Sequence, residues 1–149
     1  MLLYGPLLDQ YSLEHSGKDD TGLGRWVIML FKGSEGIENR IVCGYNACYN
    51  KKMDSRLSYH QQRRYHVLKK KDRTCPRKCL YNDLIRQLQD WREEGDQIIL
   101  CMDANEDFYK KSLVKSITAR DGLNMNEVVG KFTAKKIGAT FFRLSKPID

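Results

Sequence analysis

The pattern of apolar and polar positions along the chain predicts short strands separated by longer helices. Residues 25–32 and 39–45 are rich in aromatic and β-branched side chains, and residues 33–36 between them include two glycines, so we expect a β-hairpin. Residues 97–102 contain a continuous apolar run between polar flanks, which predicts a central strand covered on both faces. Residues 1–24 show neither the alternation of a strand nor the spacing of a helix, and they are predicted to be loop.

Helical spacing is clearest in residues 76–94. Pro76 suits the first turn of a helix, and Gly95 stands where a left-handed residue is wanted after its end. Apolar residues recur at helical spacing and form one stripe, which should face the core. This stripe consists of Leu80, Leu84, Leu88 and Trp91.

Further elements are predicted on both sides of this helix. Residues 59–68 and 109–120 have helical patterns, a short helix is expected near residues 126–132, and residues 139–143 read as a strand. The order of strands and helices predicts an α/β or α+β fold. A chain of 149 residues is long enough for one domain with a single core.

The composition is that of an ordinary globular protein, with 41% hydrophobic and 30% charged residues. Its apolar runs are far shorter than the ~18 residues that a membrane span needs, so no membrane partner is expected. The first residues lack the basic and apolar regions of a secretory signal. We therefore expect an intracellular protein, nuclear or cytoplasmic.

The five cysteines are an odd number, so they cannot all pair in internal disulfides. Cys75 and Cys79 are four residues apart and can share a helix face, while the other three stand singly. A zinc site usually has closer paired ligands with two or more others nearby. The sequence therefore favours reduced, partly buried thiols over zinc.

The net charge of +7 is concentrated between residues 51 and 80, which hold eleven lysines and arginines against two aspartates. Such a block favours a polyanionic partner, with DNA or RNA first. A solvated loop and helix face is an equally good reading of the charge alone. The residues predicted to bind nucleic acid are Arg63, Arg64, Lys69, Lys70, Lys71 and Arg73.

Candidate chemistry lies where the apolar strand ends, at Asp103 and Asn105. Functional groups gather at strand ends because the scaffold there is rigid. The two residues are two apart, so their side chains point to the same side if the strand continues. A carboxylate beside an amide suits the positioning of a water or metal next to a phosphate. Alternatively, the two residues cap a loop before the next helix.

Three segments resemble the endonuclease/exonuclease/phosphatase family. "GDQIILCMDANED" is similar to its Gly-Asp-X-Asn strand, with Met102 in place of the Gly. "RIVCGYNACYN" resembles its strand ending in a tyrosine that reaches the phosphate, here Tyr45, with Ala47 where a proline often follows. "GATFFRLSKPID" resembles the segment running into an Ile-Asp pair, here ending at Asp149.

Two further segments, "KDDTGLGRW" and "SYHQQRRYHVLKKKDRTCPRKCLYNDLIRQL", look like the endonuclease-like domains of mobile elements. The resemblance implies a partial DNase-I-like four-layer sandwich of two mixed β-sheets flanked by helices, with a basic insert over residues 51–75. It implies Mg²⁺ or Mn²⁺ as cofactor. It assigns Asp103 to the metal and the attacking water, Asn105 and Tyr45 to phosphate oxygens, and Asp149 to a histidine.

The sequence also departs from this family. The family's metal-binding Glu precedes the segment where this sequence starts, and its closing Asp-His pair lies beyond Asp149, so residues 1–149 are expected to form a single partial domain. His15, His60 and His66 are poor substitutes for the catalytic base. We therefore expect little or no hydrolysis by these residues alone. Unpaired strand edges would favour self-association or a complementing segment.

Two other functions stay open at this stage. A non-catalytic nucleic-acid-binding module would use the basic segment of residues 51–80 without any chemistry. A protein-interaction domain or a lipid phosphatase is the third reading, because the wider family includes enzymes for phosphoinositides and sphingomyelin. The basic segment favours nucleic acid over this last reading.

Overall fold

The computed structural model describes residues 13–49, 58–105, 112–119, 123–126 and 128. Within these residues the chain forms four strands and three α-helices, a mixed α+β arrangement that confirms the predicted class. The strands are β1 (Leu13–Lys18), β2 (Trp26–Lys32), β3 (Glu38–Tyr45) and β4 (Gln97–Asp103). The helices are α1 (Ser58–Lys69), α2 (Pro76–Glu93) and α3 (Ser112–Thr118).

The four strands form one mixed sheet in the order β1-β2-β3-β4. Strand β2 pairs antiparallel with both β1 and β3, which confirms the predicted hairpin. Strand β4 runs parallel to β3, and α1 and α2 lie in the connection between them. The carboxyl ends of β3 and β4 therefore lie at the same edge of the sheet.

One prediction about the strands is wrong, and a second is not met within the described residues. Residues 1–24 are not all loop, because β1 pairs with β2 along its length, and a sequence with few β-branched residues gave no sign of it. Strand β4 is not covered on both faces in the described part of the chain. It lies at the edge of the sheet and Ile99 is 59% exposed. An apolar run shows that a strand is hydrophobic, but it does not show whether one or both faces of that strand are covered.

The main helix packs its apolar stripe into the core, as its spacing predicts. Leu80, Leu84 and Leu88 are fully buried and Trp91 is nearly so. Val42 on β3 is also fully buried, and its neighbour Arg40 on the same face stacks on the Trp91 ring at 5.0 Å. The helix is followed by Gly95 with φ +93°, the left-handed residue expected after its end.

A buried arginine ties the sheet to α2. Arg25, 1% exposed, donates from Nε and Nη2 to the Asp19 carboxylate at 2.7 and 2.9 Å. Its Nη1 donates to the Asp83 carboxylate of α2 at 2.7 Å. Burial by itself would raise the pKa of Asp19, but hydrogen bonds from Arg25 and Thr21 outweigh it and hold that pKa below its usual value.

Residues 1–103 and 104–149 form two compact units. Helix α3 in the second unit confirms a helix over part of residues 109–120. The strand predicted at residues 139–143, most of the helix near residues 126–132 and Asp149 lie outside the described residues. No helix among the described residues is long and apolar enough to cross a membrane.

Candidate functional site

Two of the predicted site residues are neighbours at the carboxyl edge of the sheet. Tyr45 ends β3 and Asp103 ends β4, and their Cα atoms are register partners in the parallel pair. Register partners project their side chains to the same face of a sheet from strands about 4.8 Å apart. Both side chains are exposed, Tyr45 by 42%. A phenol hydroxyl and a carboxylate therefore stand side by side at an accessible edge.

The backbone around this pair is firmly held. The Tyr45 N–H donates to the Arg25 carbonyl oxygen at 2.8 Å, and the Asn46 N–H donates to the Asp103 carbonyl oxygen at 2.8 Å. Asn46 is buried, and its side-chain amide donates to the Tyr81 hydroxyl of α2 at 2.6 Å. Asn46 thus anchors the end of β3 to α2. The sequence did not indicate this role.

The other two predicted site residues are Asn105 and Asp149. Strand β4 ends at Asp103, and Asn105 has a left-handed φ of +49°, so the strand alternation that would align the two side chains does not extend to Asn105. Asn105 also begins the second compact unit together with Ala104. Asp149 lies outside the described residues. Their predicted roles stay predictions.

A pair of thiols lies one step back along the same strands. Cys43 and Cys101 are register partners, two residues before Tyr45 and Asp103, and so project to the same face. Burial, followed by the neighbouring Cys101 thiol, raises the pKa of Cys43. The five cysteines form no disulfide with one another. Cys43 is half-buried and Cys79 is buried, but Cys48, Cys75 and Cys101 are exposed, contrary to the prediction of partly buried thiols.

The predicted nucleic-acid-binding side chains are all exposed on the last turns of α1 and the segment that follows. They are Arg63, Arg64, Lys69, Lys70, Lys71 and Arg73. Asp72, the acidic residue in this run, is only half-buried and turns inward, where its carboxylate accepts the Thr74 N–H at 2.8 Å. We call this surface the basic face.

An open cleft of about 530 Å³ lies beside the basic face, between the β1–β2 turn and the two helices. Three of its lining residues, His66, Asp72 and Cys79, bring one ligand atom each within 4.8 Å of one another. Cys79 Sγ lies 3.7 Å from Asp72 Oδ2 and 3.8 Å from the Thr74 carbonyl oxygen. His66 and Cys79, which lie on the two helices, are buried, and Asp72 is half-exposed.

The surroundings of this cluster shift the pKa values of its groups. Burial, followed by the positive charge of Arg25, lowers the pKa of His66. Burial, followed by the Asp72 carboxylate, raises the pKa of Cys79 to about 11. Hydrogen bonds from Thr74 lower the pKa of Asp72.

This cluster is hard to predict from the sequence. Its members are six and seven positions apart, and the segment reads as one charged run. The positions meet because α1 ends with a reversal. The His66 carbonyl oxygen accepts from the N–H groups of Lys70 and Asp72 at 3.1 and 3.0 Å, and Lys71 between them has a φ of +55°. The chain thus reverses at the end of α1 through a lysine in the left-handed conformation, where glycine is more usual.

Comparison with protein-family models, with curated proteins and with solved structures finds no match to this chain.

Proposed function

We propose that this chain takes part in the divalent-metal-dependent hydrolysis of phosphodiesters in nucleic acid. The observation that carries the proposal is the side-by-side register of Tyr45 and Asp103 at the carboxyl ends of two parallel strands. Ligand-binding groups of α/β sheets gather at this edge. The proposed roles are orientation of the attacking water by Asp103 and a hydrogen bond from the Tyr45 hydroxyl to a phosphate oxygen.

The donors at this edge suit a hard cation. Mg²⁺ is usually held by one or two carboxylates together with substrate phosphates and waters, and Asp103 offers an exposed carboxylate. Bound there, Mg²⁺ or Mn²⁺ would neutralise charge on the phosphate. Tyr45 would hold the phosphate in place, and the anchored main chain at Asn46 would keep both side chains in register. Asn105 is proposed as a second phosphate contact, and Asp149 as the partner of a histidine.

The basic face supports nucleic acid as the substrate class. Six exposed cations within eleven residues give a surface on which successive phosphates can be neutralised. The Asp72 carboxylate in this run is partly engaged within its own loop, where it accepts the Thr74 N–H. Neither feature is needed by a phosphatase that acts on small molecules.

We further propose that the described sheet is one of the two sheets of a DNase-I-like sandwich. The support is the exposure of Ile99 and Cys101 on the face of β4 opposite α2. An apolar side chain on an otherwise formed sheet is typical of a surface that packs against another layer.

The decisive experiment measures where Mn²⁺ binds. Paramagnetic Mn²⁺ added to isotopically labelled protein is expected to broaden the backbone NMR signals of Gly44, Tyr45 and Asp103 first. Asp103→Asn should abolish this broadening, and Asp90→Asn, which removes an exposed carboxylate on α2, should leave it unchanged. Broadening that persists in Asp103→Asn would contradict the proposed metal position. Cleavage of a nicked or abasic duplex in Mg²⁺ that is lost in Asp103→Asn would establish hydrolysis by the chain itself.

A second candidate is a nucleic-acid-binding module without chemistry. The basic face favours it, because these cations bind phosphate whether or not a metal is present. The two candidates differ in the Mn²⁺ experiment. A simple binder shows salt-dependent binding of oligonucleotides and no selective broadening near Asp103.

A further inference from the structure

The connection between α1 and α2 brings together three side chains that are common metal ligands. His66 lies on α1, Asp72 in the connection and Cys79 in the first turn of α2. The reversal at the end of α1 turns Asp72 back toward the helix, and the bond from the Thr74 N–H fixes its carboxylate there. The three ligand atoms are thus placed by backbone geometry as well as by side-chain packing.

The imidazole of His66 has a buried nitrogen with no hydrogen-bond partner. His66 is 5% exposed, and its Nε2 finds no partner among the described residues. A buried polar nitrogen in a folded protein is almost always paired, so this exception requires an explanation. Nε2 of a neutral imidazole carries either a lone pair or a proton, and a metal ion is a natural partner for the lone pair.

The spacing of the ligand atoms is close to that of a tetrahedral zinc site. Zinc binds sulfur at about 2.3 Å and carboxylate oxygen at about 2.0–2.2 Å, which places the two ligand atoms about 3.6 Å apart at the tetrahedral angle. Cys79 Sγ and Asp72 Oδ2 lie 3.7 Å apart. An imidazole nitrogen of His66 lies within 4.8 Å of both atoms.

The cleft around the cluster is lined by charges of both signs. Its carboxylates are those of Asp19, Asp20, Asp72 and Asp83, and its cations are Arg25, Lys70 and Arg86. Arg25 binds both Asp19 and Asp83, and Arg86 lies 3.6 Å from Asp83. Loss of the Cys79 proton on metal binding adds a negative charge that offsets part of the charge of a dication.

We propose that His66 Nε2, Cys79 Sγ and an Asp72 carboxylate oxygen bind Zn²⁺, with the fourth position open to the cleft. A set of one imidazole, one thiolate and one carboxylate suits zinc, which accepts nitrogen, sulfur and oxygen in four-coordinate sites. The thiolate makes the set unsuitable for Mg²⁺. The site is separate from the Tyr45–Asp103 edge and does not depend on the function proposed there. Its effect is to fasten the loop between α1 and α2.

Titration of the full chain with Zn²⁺ and Co²⁺ tests the site. We expect one ion per chain, measured by competition with a chromophoric chelator. Co²⁺ should give the near-ultraviolet absorption of a cobalt–thiolate bond and the visible bands of a tetrahedral ion. Saturating Zn²⁺ should raise the melting temperature by at least about 5 °C, because a ligand that binds only the folded state stabilises it.

Variants then assign the ligands. Cys79→Ser should abolish the thiolate absorption, and His66→Gln and Asp72→Asn should each weaken Zn²⁺ binding by at least about 100-fold, since even outer-shell partners change affinity by about 10- to 100-fold. Cys75→Ser is the matched control, because Cys75 is exposed, four residues before Cys79 and outside the cluster. This variant should bind Zn²⁺ with the same stoichiometry and affinity as the wild type and keep the cobalt–thiolate absorption.

Several results would overturn the proposal. These are the absence of stoichiometric binding, thiolate absorption that survives Cys79→Ser, or absorption lost in Cys75→Ser. Circular dichroism without metal identifies any variant that fails to fold. If Cys79→Ser does so, ¹¹³Cd NMR of the wild-type chain decides the question, because a thiolate ligand shifts the cadmium resonance strongly downfield and an oxygen-only site does not.

Discussion

Tyr45 and Asp103 are register partners at the last positions of two parallel strands. They are separated by 58 residues in the sequence and meet only because α1 and α2 return the chain to the same edge of the sheet. Hydrogen bonds to the Arg25 and Asp103 carbonyl oxygens hold the main chain on both sides of Tyr45. The pair is thus set by the sheet and not by a loop, which is the kind of support that a reactive site needs.

Tyr45→Phe tests the proposed phosphate contact. The change removes only the hydroxyl, so the fold should be unaffected and the affinity for a short oligonucleotide should fall about three- to tenfold, the value of one net hydrogen bond. Fluorescence anisotropy at fixed salt measures this. Tyr49→Phe is the control, because Tyr49 is also exposed but lies beyond the end of β3. Equal losses in both variants would contradict a specific role for Tyr45.

Much of the fold was predictable from local patterns. The stripe from Leu80 to Trp91 defined α2 because helical spacing and burial coincide there. The hairpin of β2 and β3 followed from two apolar segments around a glycine-containing turn. Strand β1 was missed because its sequence, LEHSGK, has neither β-branched residues nor alternation, and it is a strand only through its pairing with β2.

The candidate sites differ in how much the sequence reveals. Asp103 was found because it ends an apolar strand, and Tyr45 only through the resemblance of its segment to a known family. Their register depends on the long-range pairing of β3 and β4. The cluster of His66, Asp72 and Cys79 depends on a helix reversal at Lys71, a residue type that seldom adopts a left-handed conformation. No local signal marks such a reversal when glycine is absent.

Arg25→Met should destabilise the protein strongly. The change leaves the buried Asp19 carboxylate without its cation, and breaking a buried ion pair from one side costs about 3–5 kcal/mol in the free energy of unfolding. Arg86→Met is the matched control. Arg86 also pairs with Asp83, but its side chain is 75% exposed and the N–O distance is a long 3.6 Å. It should change the free energy of unfolding by less than about 0.5 kcal/mol. Urea denaturation of both variants measures the difference.

The same ion pair predicts the acid dependence of stability. The folded-state pKa of Asp19 lies below the usual value of an aspartate, about 3.9. Its contribution to stability is therefore fully present above that pH and is lost as the pH falls through the folded-state pKa. Asp19→Asn should lower the free energy of unfolding at pH 7 and flatten its decrease below about pH 4. Asp90→Asn, on the exposed side of α2, should leave the slope unchanged. An unaltered slope in Asp19→Asn would contradict the assignment.

Lys71→Gly should stabilise the protein. Lys71 has a φ of +55°, a conformation that costs a residue with a Cβ about 1 kcal/mol and costs glycine little. Lys70→Gly is the control, since the Lys70 N–H continues the helical bonding to His66 and glycine there should destabilise by about 0.5–1 kcal/mol. Thermal melts of the two variants should therefore shift in opposite directions.

The basic face predicts a specific change in salt dependence. Each lysine or arginine that neutralises a phosphate contributes about 0.7–0.9 to the slope of log K against log salt concentration. The double variant Arg63→Gln/Arg64→Gln should therefore reduce the slope by about 1.4–1.8 and weaken binding at low salt across unrelated sequences. Lys18→Gln removes an exposed cation of β1 outside the basic face and should leave the slope unchanged. A slope that falls equally in both variants would mean that net charge alone governs binding, and that the surface formed by the end of α1 has no particular part in it.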